Sequence, residues 1–286
     1  MNRAKFFKML AFGGSASYDF QPSATSHHSV TPFKLTYSLL QRRTAEFNDI
    51  TKDNPALGRS LEDQFIPSMG YTYTYDDASI TTKRNHLWWQ SSVTQAGLII
   101  DAAYAIAGKN FNEREKHLLG NKFAQFVKVT SEIRYNYDLG HRQHLVGRLM
   151  GGVAYSYGNA ITTPYSEQFY IGGANSIRAF TIRSIGPGSY HPTDSKYGYL
   201  DQTGDIKFEA NLEYRFPILG DLHGATFLDA GNVWLLRYDE SRPGGQLKWG
   251  RFLKDLALGT GIGLRYDLTF LVIRLDWGIG LHVPYD

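Results

Sequence analysis

The sequence predicts an all-β protein, an antiparallel transmembrane β-barrel with short periplasmic turns and long extracellular loops. Apolar and polar residues alternate over long stretches, and the connections between these stretches alternate between short and long. No apolar run approaches the roughly 18 residues of a membrane helix. The mean hydropathy of -0.33 agrees with strands whose lumen-facing residues are polar.

Alternation with period two identifies the strands. From Asp205 to Phe216 the even positions are apolar, and the odd positions are Lys207, Glu209, Asn211, Glu213 and Arg215. The stretches 122–139 and 271–283 alternate in the same way. We predict about ten strands in all, near 4–20, 29–41, 65–77, 86–107, 122–139, 143–158, 204–217, 222–234, 255–267 and 269–283.

The connections keep a regular parity of length. Short turns are predicted near 20–28, 78–85, 140–142, 217–221 and 267–269, and long loops near 42–64, 108–121, 159–203 and 235–254. Outer-membrane barrels have short turns at the periplasmic end and long loops outside the cell. Residues 44–63 have a composition that favours a short loop helix, interrupted by Asn54-Pro55.

A soluble barrel also alternates, but its apolar face would point inward. Here the apolar face has aromatic residues near strand ends, as in the interfacial girdles of membrane barrels. They are Tyr71, Tyr73, Tyr75, Tyr135, Tyr137, Tyr155, Tyr157 and Trp234. We therefore favour the membrane barrel.

Composition narrows the functional classes. The net charge of +3 is too small to indicate nucleic-acid binding, and there is no cysteine. The nine histidines show no close metal-ligand spacing beyond His27-His28, and no Gly-x-Ser-x-Gly elbow is present. We predict no metal, no cofactor and no enzymatic activity. The start of the chain imitates a signal peptide, but its apolar core of about four residues is too short, so we predict a strand there.

One arginine has unusual neighbours. Arg178 follows the pair Gly172-Gly173 and lies between Ile177 and Phe180, in the long loop 159–203. An arginine that served only solubility would not need apolar neighbours, so we expect this loop to fold inward and Arg178 to find carboxylates.

Two acids are candidates for that pairing. Glu213 lies on the polar face of its strand, and Asp229 lies in the next strand with Gly231 on the same face. A carboxylate on the lipid face would be destabilising, so both should point into the lumen. Adjacent antiparallel strands would then bring the two acids close to one inward-folded Arg178.

These residues resemble a known family. The run from Tyr170 to Phe180 with Ile-Arg-Ala-Phe, then Ser184-Ile185-Gly186-Pro187, is similar to the inward-folded sixth loop of the BamA/TamA outer-membrane assembly barrels. The stretches 210–217 and 227–234 resemble the next two strands. The resemblance implies that the loop arginine pairs with the acids at Glu213 and Asp229. The expected latch consists of Gly172, Gly173, Ile177, Arg178, Phe180, Glu213, Asp229 and Gly231.

The resemblance implies a function. Such barrels fold and insert β-barrel proteins into the bacterial outer membrane, and their partners are the lipid bilayer, unfolded outer-membrane clients, and periplasmic or lipoprotein assembly factors. Two alternatives remain open. The first is a two-partner secretion translocator or porin-like channel, and the second is the barrel anchor of a patatin-fused phospholipase.

The sequence departs from the family pattern in two ways. Ala179 replaces the glycine of the family's Val-Arg-Gly motif, which would strain a turn that needs positive φ. In addition, the family barrel is presumed to have about sixteen strands, whereas about ten are predicted here. We therefore expect residues 1–286 to form a partial barrel domain that lacks the first strands, the last strand and any periplasmic POTRA repeat.

Overall fold

The computed structural model describes residues 2–3, 7–53, 58, 61–80, 82–108, 110, 116–118, 121–192, 202–268 and 270–285. Its strands are β1 (Asn2–Arg3), β2 (Phe7–Ser23), β3 (Ser26–Arg43), β4 (Gln64–Asp76), β5 (His86–Ala96), β6 (His117–Leu118), β7 (Asn121–Lys122), β8 (Phe126–Gly140), β9 (Gln143–Ser156), β10 (Ile206–Leu219), β11 (Leu222–Trp234), β12 (Ala257–Asp267) and β13 (Val272–His282). The helices are α1 (Ala45–Asp53), α2 (Leu98–Ile106) and a 3₁₀ turn, Trp249–Arg251.

The strands form one antiparallel meander. The order is β1-β2-β3-β4-β5-β8-β9-β10-β11-β12-β13, so each strand pairs with its neighbour along the chain, and β5 pairs with β8 across an inserted hairpin of β6 and β7. Within the described residues the sheet has ten long strands and the two-residue β1. The prediction of an all-β fold with about ten antiparallel strands is confirmed.

The connections lie at two distinct ends. Short turns at 24–25, 77–85, 141–142, 220–221 and 268–271 alternate with long loops at 44–63, 97–125, 157–205 and 235–256. In the tightest turns the backbone adopts positive φ, as at His141 (51°) and Arg142 (60°) between β8 and β9. Paired positive φ values are typical of two-residue hairpin turns because they match the strand twist. The predicted parity of connection lengths is therefore present.

The outward face of the sheet is apolar and exposed. Leu212 and Leu228 are both 47% exposed, whereas Glu209 and Asp229, on the opposite face of the same two strands, are fully buried. A soluble barrel would show the reverse, with leucines inside and carboxylates in water. This arrangement suits strands whose outer face contacts lipid.

One predicted strand is wrong in its second half. The stretch 86–107 is a strand only to Ala96 and continues as helix α2 from Leu98. Gly97 turns the chain with a φ of 80°, and a Cβ at this position would lie 2.8 Å from the Ala124 carbonyl oxygen. The stretch Leu98–Ile106, apolar except for Asp101, fits either a strand or a buried helix by pattern alone, and the glycine decides between them.

Other boundaries shift by a few residues. The strand predicted at 122–139 begins at Phe126, and the first predicted turn, 20–28, tightens to residues 24–25. The helix expected within 44–63 is α1 (Ala45–Asp53), and its expected interruption at Asn54-Pro55 lies outside the described residues, as do positions 193–201 of the loop. Among the described residues no helix is long and apolar enough to cross a membrane.

Candidate functional site in the barrel lumen

The loop between β9 and β10 turns back on itself around its glycine pair. The Gly173 amide donates to the Phe180 carbonyl (2.8 Å), and the Arg183 amide donates to the Ile171 carbonyl (2.9 Å). Gly172 has a φ of 95°, and a Cβ on it would lie 2.1 Å from the Thr181 carbonyl oxygen. Only glycine fits this close approach of two backbones. The intervening turn presents Arg178 to the strands.

Arg178 binds the two predicted acids at once. Its Nε and one terminal nitrogen donate to the two carboxylate oxygens of Asp229, each at 2.8 Å, and the other terminal nitrogen donates to Glu213. The backbone amide of Arg178 also donates to Asp229, at 3.0 Å. Bidentate geometry of this kind uses the planar fork of arginine. It makes the ion pair stronger and fixes the orientation of the guanidinium.

The ion pair is withdrawn from water. The side chain of Asp229 is fully buried, and those of Arg178 and Glu213 are nearly so. The Arg178 guanidinium lies 3.5 Å from the ring centroid of Phe227, which covers one of its faces. Burial makes such a pair costly to break, because removing one partner leaves an uncompensated charge.

Two neutral side chains, Asn211 and Ser176, join the turn to the acids on β10 and β11. Asn211 donates through its amide nitrogen to the Ser176 carbonyl and to Asp229, both at 2.8 Å. The Ser176 hydroxyl donates to Glu209 and accepts the Gly172 amide, at 2.9 Å. Sequence reasoning did not select Ser176, Asn211 or Glu209 for the site. Glu209 and Asn211 lie on the polar face of β10 together with Glu213. The alternation of polar and apolar residues along the strand was therefore the signal that could have identified these two residues.

Gly231 allows the two strands of the site to pack closely. It lies opposite Glu209 in the β10–β11 ladder. A Cβ on Gly231 would lie 2.5 Å from the Phe208 carbonyl oxygen and 3.2 Å from the Glu209 side chain. Any larger residue would therefore displace the strand that carries the acids.

Glycines on β12 and β13 leave room for the loop to pack against these strands. A Cβ on Gly259 of β12 would lie 2.6 Å from the Ala179 Cβ, and one on Gly278 of β13 would lie 3.1 Å from the Ala179 backbone. One on Gly280 would lie 3.0 Å from the ring of Phe180. The lumen face of β12 and β13 is thus flat enough for the loop to lie against it, and sequence reasoning had not assigned these glycines to the site.

The alanine that replaces the family's glycine has an ordinary backbone. Among the described residues, the non-glycine positions with positive φ are His141, Arg142 and Arg183, and Ala179 is not one of them. The small Ala179 side chain is instead used for packing against Gly259. The expected strain at this position is absent.

Apolar side chains complete the attachment. Ile177 is fully buried in a cluster with Phe169, Ile171, Ile185, Val233, Ala154 and Ala257. Phe180 packs at the edge of the same cluster. Further along the loop, Asn232 of β11 donates to the Gly188 carbonyl, at 2.9 Å. The loop is therefore held by charge at its tip and by apolar contact on both sides.

The charges extend across six strands. Glu213 also accepts from Arg215 (2.7 Å) and Arg265 (3.1 Å), and Arg265 lies 2.6 Å from Asp276. On the other side, Arg148 joins Glu209 (2.9 Å) to Glu132. Each acid in this network contacts at least one cation. Such a network suits a rigid wall, because each of these acids is held by a cation on another strand.

The described residues contain no group of three or more metal-ligating side chains.

The site can hold an inward-folded loop against the inner wall of an open antiparallel sheet whose outer face contacts lipid. Fold and site together define the wall of an outer-membrane β-barrel with an inward-folded loop. The profile of the Omp85 superfamily domain matches residues 2–286, and the chain belongs to this superfamily. Within it, the chain is a barrel of the BamA/TamA type, located in the bacterial outer membrane.

Curated relatives are similar over parts of the chain. The outer membrane protein assembly factor BamA of Nitratidesulfovibrio vulgaris is 30% identical over 180 residues, which cover 62% of this chain and 20% of that protein. BamA of Neisseria meningitidis serogroup B is 34% identical over 88 residues, 29% of this chain and 11% of that protein. The sorting and assembly machinery component 50 homolog A of Xenopus laevis is 32% identical over 142 residues, 49% of this chain and 29% of that protein.

Solved structures show the same fold. BamA from Haemophilus ducreyi lacking POTRA domains 1-3 has a TM-score of 0.65 at 15% identity, and the match covers 96% of this chain and 52% of that chain. CdiB from Escherichia coli has a TM-score of 0.53 at 12% identity, with 96% and 42% covered. The chain therefore spans about half of the solved BamA chain and less than a third of the curated relatives named above.

Proposed function

We propose that this chain forms part of the barrel wall of a factor that folds β-barrel proteins and inserts them into the outer membrane. We propose also that its role is not enzymatic. The observation that carries the proposal is the two-acid clasp of Arg178 by Glu213 and Asp229. Relatives named as assembly factors support it.

We propose further that the loop 159–203 acts as an inward-folded latch, with Gly172, Gly173, Ile177, Arg178, Phe180, Glu213, Asp229 and Gly231 as its functional residues. The contacts of the described part of the loop support this role, because they join four consecutive strands, β10 to β13, through one segment. A latch of this kind keeps the wall in one arrangement while client strands are added elsewhere by main-chain pairing.

The partners proposed for the intact protein follow from that role. They are the lipid bilayer on the outward apolar face, unfolded outer-membrane proteins as clients, and periplasmic or lipoprotein assembly factors. The competing proposal is a translocator for a single secreted protein, which the structural similarity to CdiB supports. We favour the assembly factor because the curated relatives are named for assembly.

The test is replacement of Arg178 by alanine in the intact protein, in cells depleted of the native copy. We expect the amounts of several unrelated outer-membrane proteins to fall together, with the variant itself still present in the membrane. Arg134→Ala is the matched control, since Arg134 also lies on the lumen wall but is half-exposed, pairs with Glu132 and lies over the Trp88 ring, away from the loop.

The outcomes separate the two proposals. Loss of one secreted protein with unchanged outer-membrane proteins would identify a translocator. Unchanged assembly together with unchanged thermal stability of Arg178→Ala would overturn the latch role, whichever substrate the barrel serves.

A further inference from the structure

A short segment of the loop between β11 and β12 packs on the outside of the barrel. The ring of Phe252 lies 5.2 Å from that of Trp234, stacked, and 5.3 Å from that of Phe208, edge-on. Phe208 shares its face of β10 with the exposed Leu212, opposite the lumen acids. The segment Lys248–Lys254 therefore lies on the lipid-facing side of the sheet, away from the latch.

The position of the segment Lys248–Lys254 along the barrel axis matches the edge of the apolar band of the membrane. Ile218, near the other end of β10, is exposed on the same face, ten positions from Phe208. At about 3.3 Å per residue that distance is roughly 33 Å along the strand. With a strand tilt of about 40°, it covers the apolar band of about 25 Å expected for outer-membrane barrels. Phe208 and Phe252 consequently mark the outer boundary of that band.

Two large apolar side chains near Phe252 are exposed. Trp249 is 81% exposed and Leu253 is 78% exposed. Water would be an unfavourable environment for both, whereas a tryptophan at a bilayer surface places its ring among the headgroups. The segment is held in position by Asp255, which is buried, accepts from the Trp234 indole at 3.3 Å and donates its amide to the Arg251 carbonyl at 2.9 Å.

Three cations flank these apolar side chains. Arg251 is bound to Asp255, with Nε 3.3 Å from Oδ1. Lys248 and Lys254 are exposed, and no acidic partner is found for either ammonium among the residues that the structure describes. Two unpaired lysines beside an exposed tryptophan at the outer boundary of the apolar band suit the phosphate groups of lipid headgroups.

We propose that the segment Lys248–Lys254 is a membrane-interface anchor, in which Trp249 and Leu253 enter the outer leaflet and Lys248 and Lys254 bind the phosphates of anionic lipid headgroups. The segment continues the lipid-facing surface of β10 and β11 through Phe252. Its occupant is therefore lipid, and the anchor is separate from the latch in the lumen.

The absence of cysteine makes depth measurable in the full chain. Trp249→Cys and Leu253→Cys are each labelled with a fluorophore, and the protein is refolded into phosphatidylcholine vesicles that contain a nitroxide-bearing headgroup lipid. We expect several-fold stronger quenching at both positions than at Ala174→Cys, an exposed position of the lumen loop. Quenching at both positions no greater than at Ala174→Cys would overturn insertion.

The charge contribution is tested with the double variant Lys248→Gln/Lys254→Gln. In vesicles of phosphatidylcholine with phosphatidylglycerol, the wild type should select a spin-labelled phosphatidylglycerol over the matching phosphatidylcholine. Each lysine is worth roughly five-fold at a charged surface, so the double variant should lose most of that selection. Arg142→Gln, in the turn at the opposite end of the barrel, is the control and should retain the selection. Equal selection by wild type and double variant would overturn headgroup binding.

Discussion

Arg178 and Asp229 form a two-point ion pair, in which Nε and one terminal nitrogen each lie 2.8 Å from a different carboxylate oxygen. The pair joins a loop residue to a strand residue 51 positions later in the chain. Because the backbone amide of Arg178 also donates to Asp229, both the side chain and the main chain of the loop are held by one carboxylate. The stability of the loop should therefore depend on this contact.

Replacing Arg178 should destabilise the barrel. Arg178→Ala leaves two buried carboxylates without their shared cation, which we expect to cost about 3–5 kcal/mol. Arg178→Lys should recover only part of this, since an ammonium cannot supply the bidentate fork. The measurement is urea unfolding of the refolded barrel in vesicles. The half-exposed Arg134→Ala should cost less than about 1 kcal/mol, and an equal loss in that variant would contradict the assignment.

The two acids should differ in importance. Asp229→Asn weakens three bonds from Arg178 and replaces an acceptor by a donor, which we expect to cost about 3 kcal/mol or more. Glu213 shares its cations with other acids, since Arg265 also pairs with Asp276, so Glu213→Gln should cost about half as much. The same unfolding experiment ranks the two variants. The reverse order would show that Glu213 and not Asp229 is the principal anchor.

Exchanging the residues at positions 179 and 259 should preserve the contact between the loop and β12. Gly259→Ala would bring two methyl groups too close at Ala179, and we expect a loss of about 1–3 kcal/mol from overpacking. Adding Ala179→Gly should restore most of that loss, which a double-mutant cycle measures. Gly147→Ala is the control, because a Cβ there meets nothing within 4 Å. Additive effects of Gly259→Ala and Ala179→Gly would argue against the contact.

The turn between β4 and β5 should be sensitive to acid. Hydrogen bonding from Lys83 (2.8 Å), opposed by desolvation and assisted by the Leu87 amide, lowers the pKa of Asp77 from its ordinary 3.8. A lowered pKa means that the stabilisation is complete above pH 3.8 and is lost as pH falls through the folded value. An NMR titration of the Leu87 amide in lipid nanodiscs should follow this loss.

Two variants test the cause. Asp77→Asn should remove the acid-dependent change at Leu87, because the titrating group is gone. Lys83→Gln should move that change to higher pH, since the largest contribution to the lowered pKa is removed. An unchanged titration curve in both variants would assign the acid sensitivity to another group.

Much of the fold followed from alternation. A strand with one lipid face and one lumen face must repeat every two residues, and Asp205 to Phe216 does so without a break. The stretch 86–107 was less predictable, because eight of the nine residues after Gly97 are apolar and the single charged one, Asp101, is too little to separate strand from helix. There the positive φ of a single glycine, at a position where a Cβ would meet the Ala124 carbonyl oxygen, separates the strand from the helix.

The candidate site was less accessible to sequence reasoning than the fold. The face of Glu213 or Asp229 can be read from parity, and the glycine pair before Arg178 indicates a tight turn. The contacts of Ser176 with Glu209, and of Ala179 with Gly259, join residues far apart in the chain. No local pattern specifies such contacts.

By itself the sequence determined which residues lie on the outer face of each strand and which lie on the lumen face, because the period of a strand is a local property of the chain. It did not predict that Trp234, on the outer face, is buried beneath Phe252. It also determined where tight turns can form, through glycines that tolerate positive φ. The pairing of Arg178 with Glu213 and Asp229 was predicted, but only the tertiary structure decided that Asp229 is held at two points by the side chain, and that Gly259 and Gly278 form the surface under Ala179. Those contacts depend on strand register and on the curvature of the sheet, which arise from the packing of the whole wall and not from any one segment.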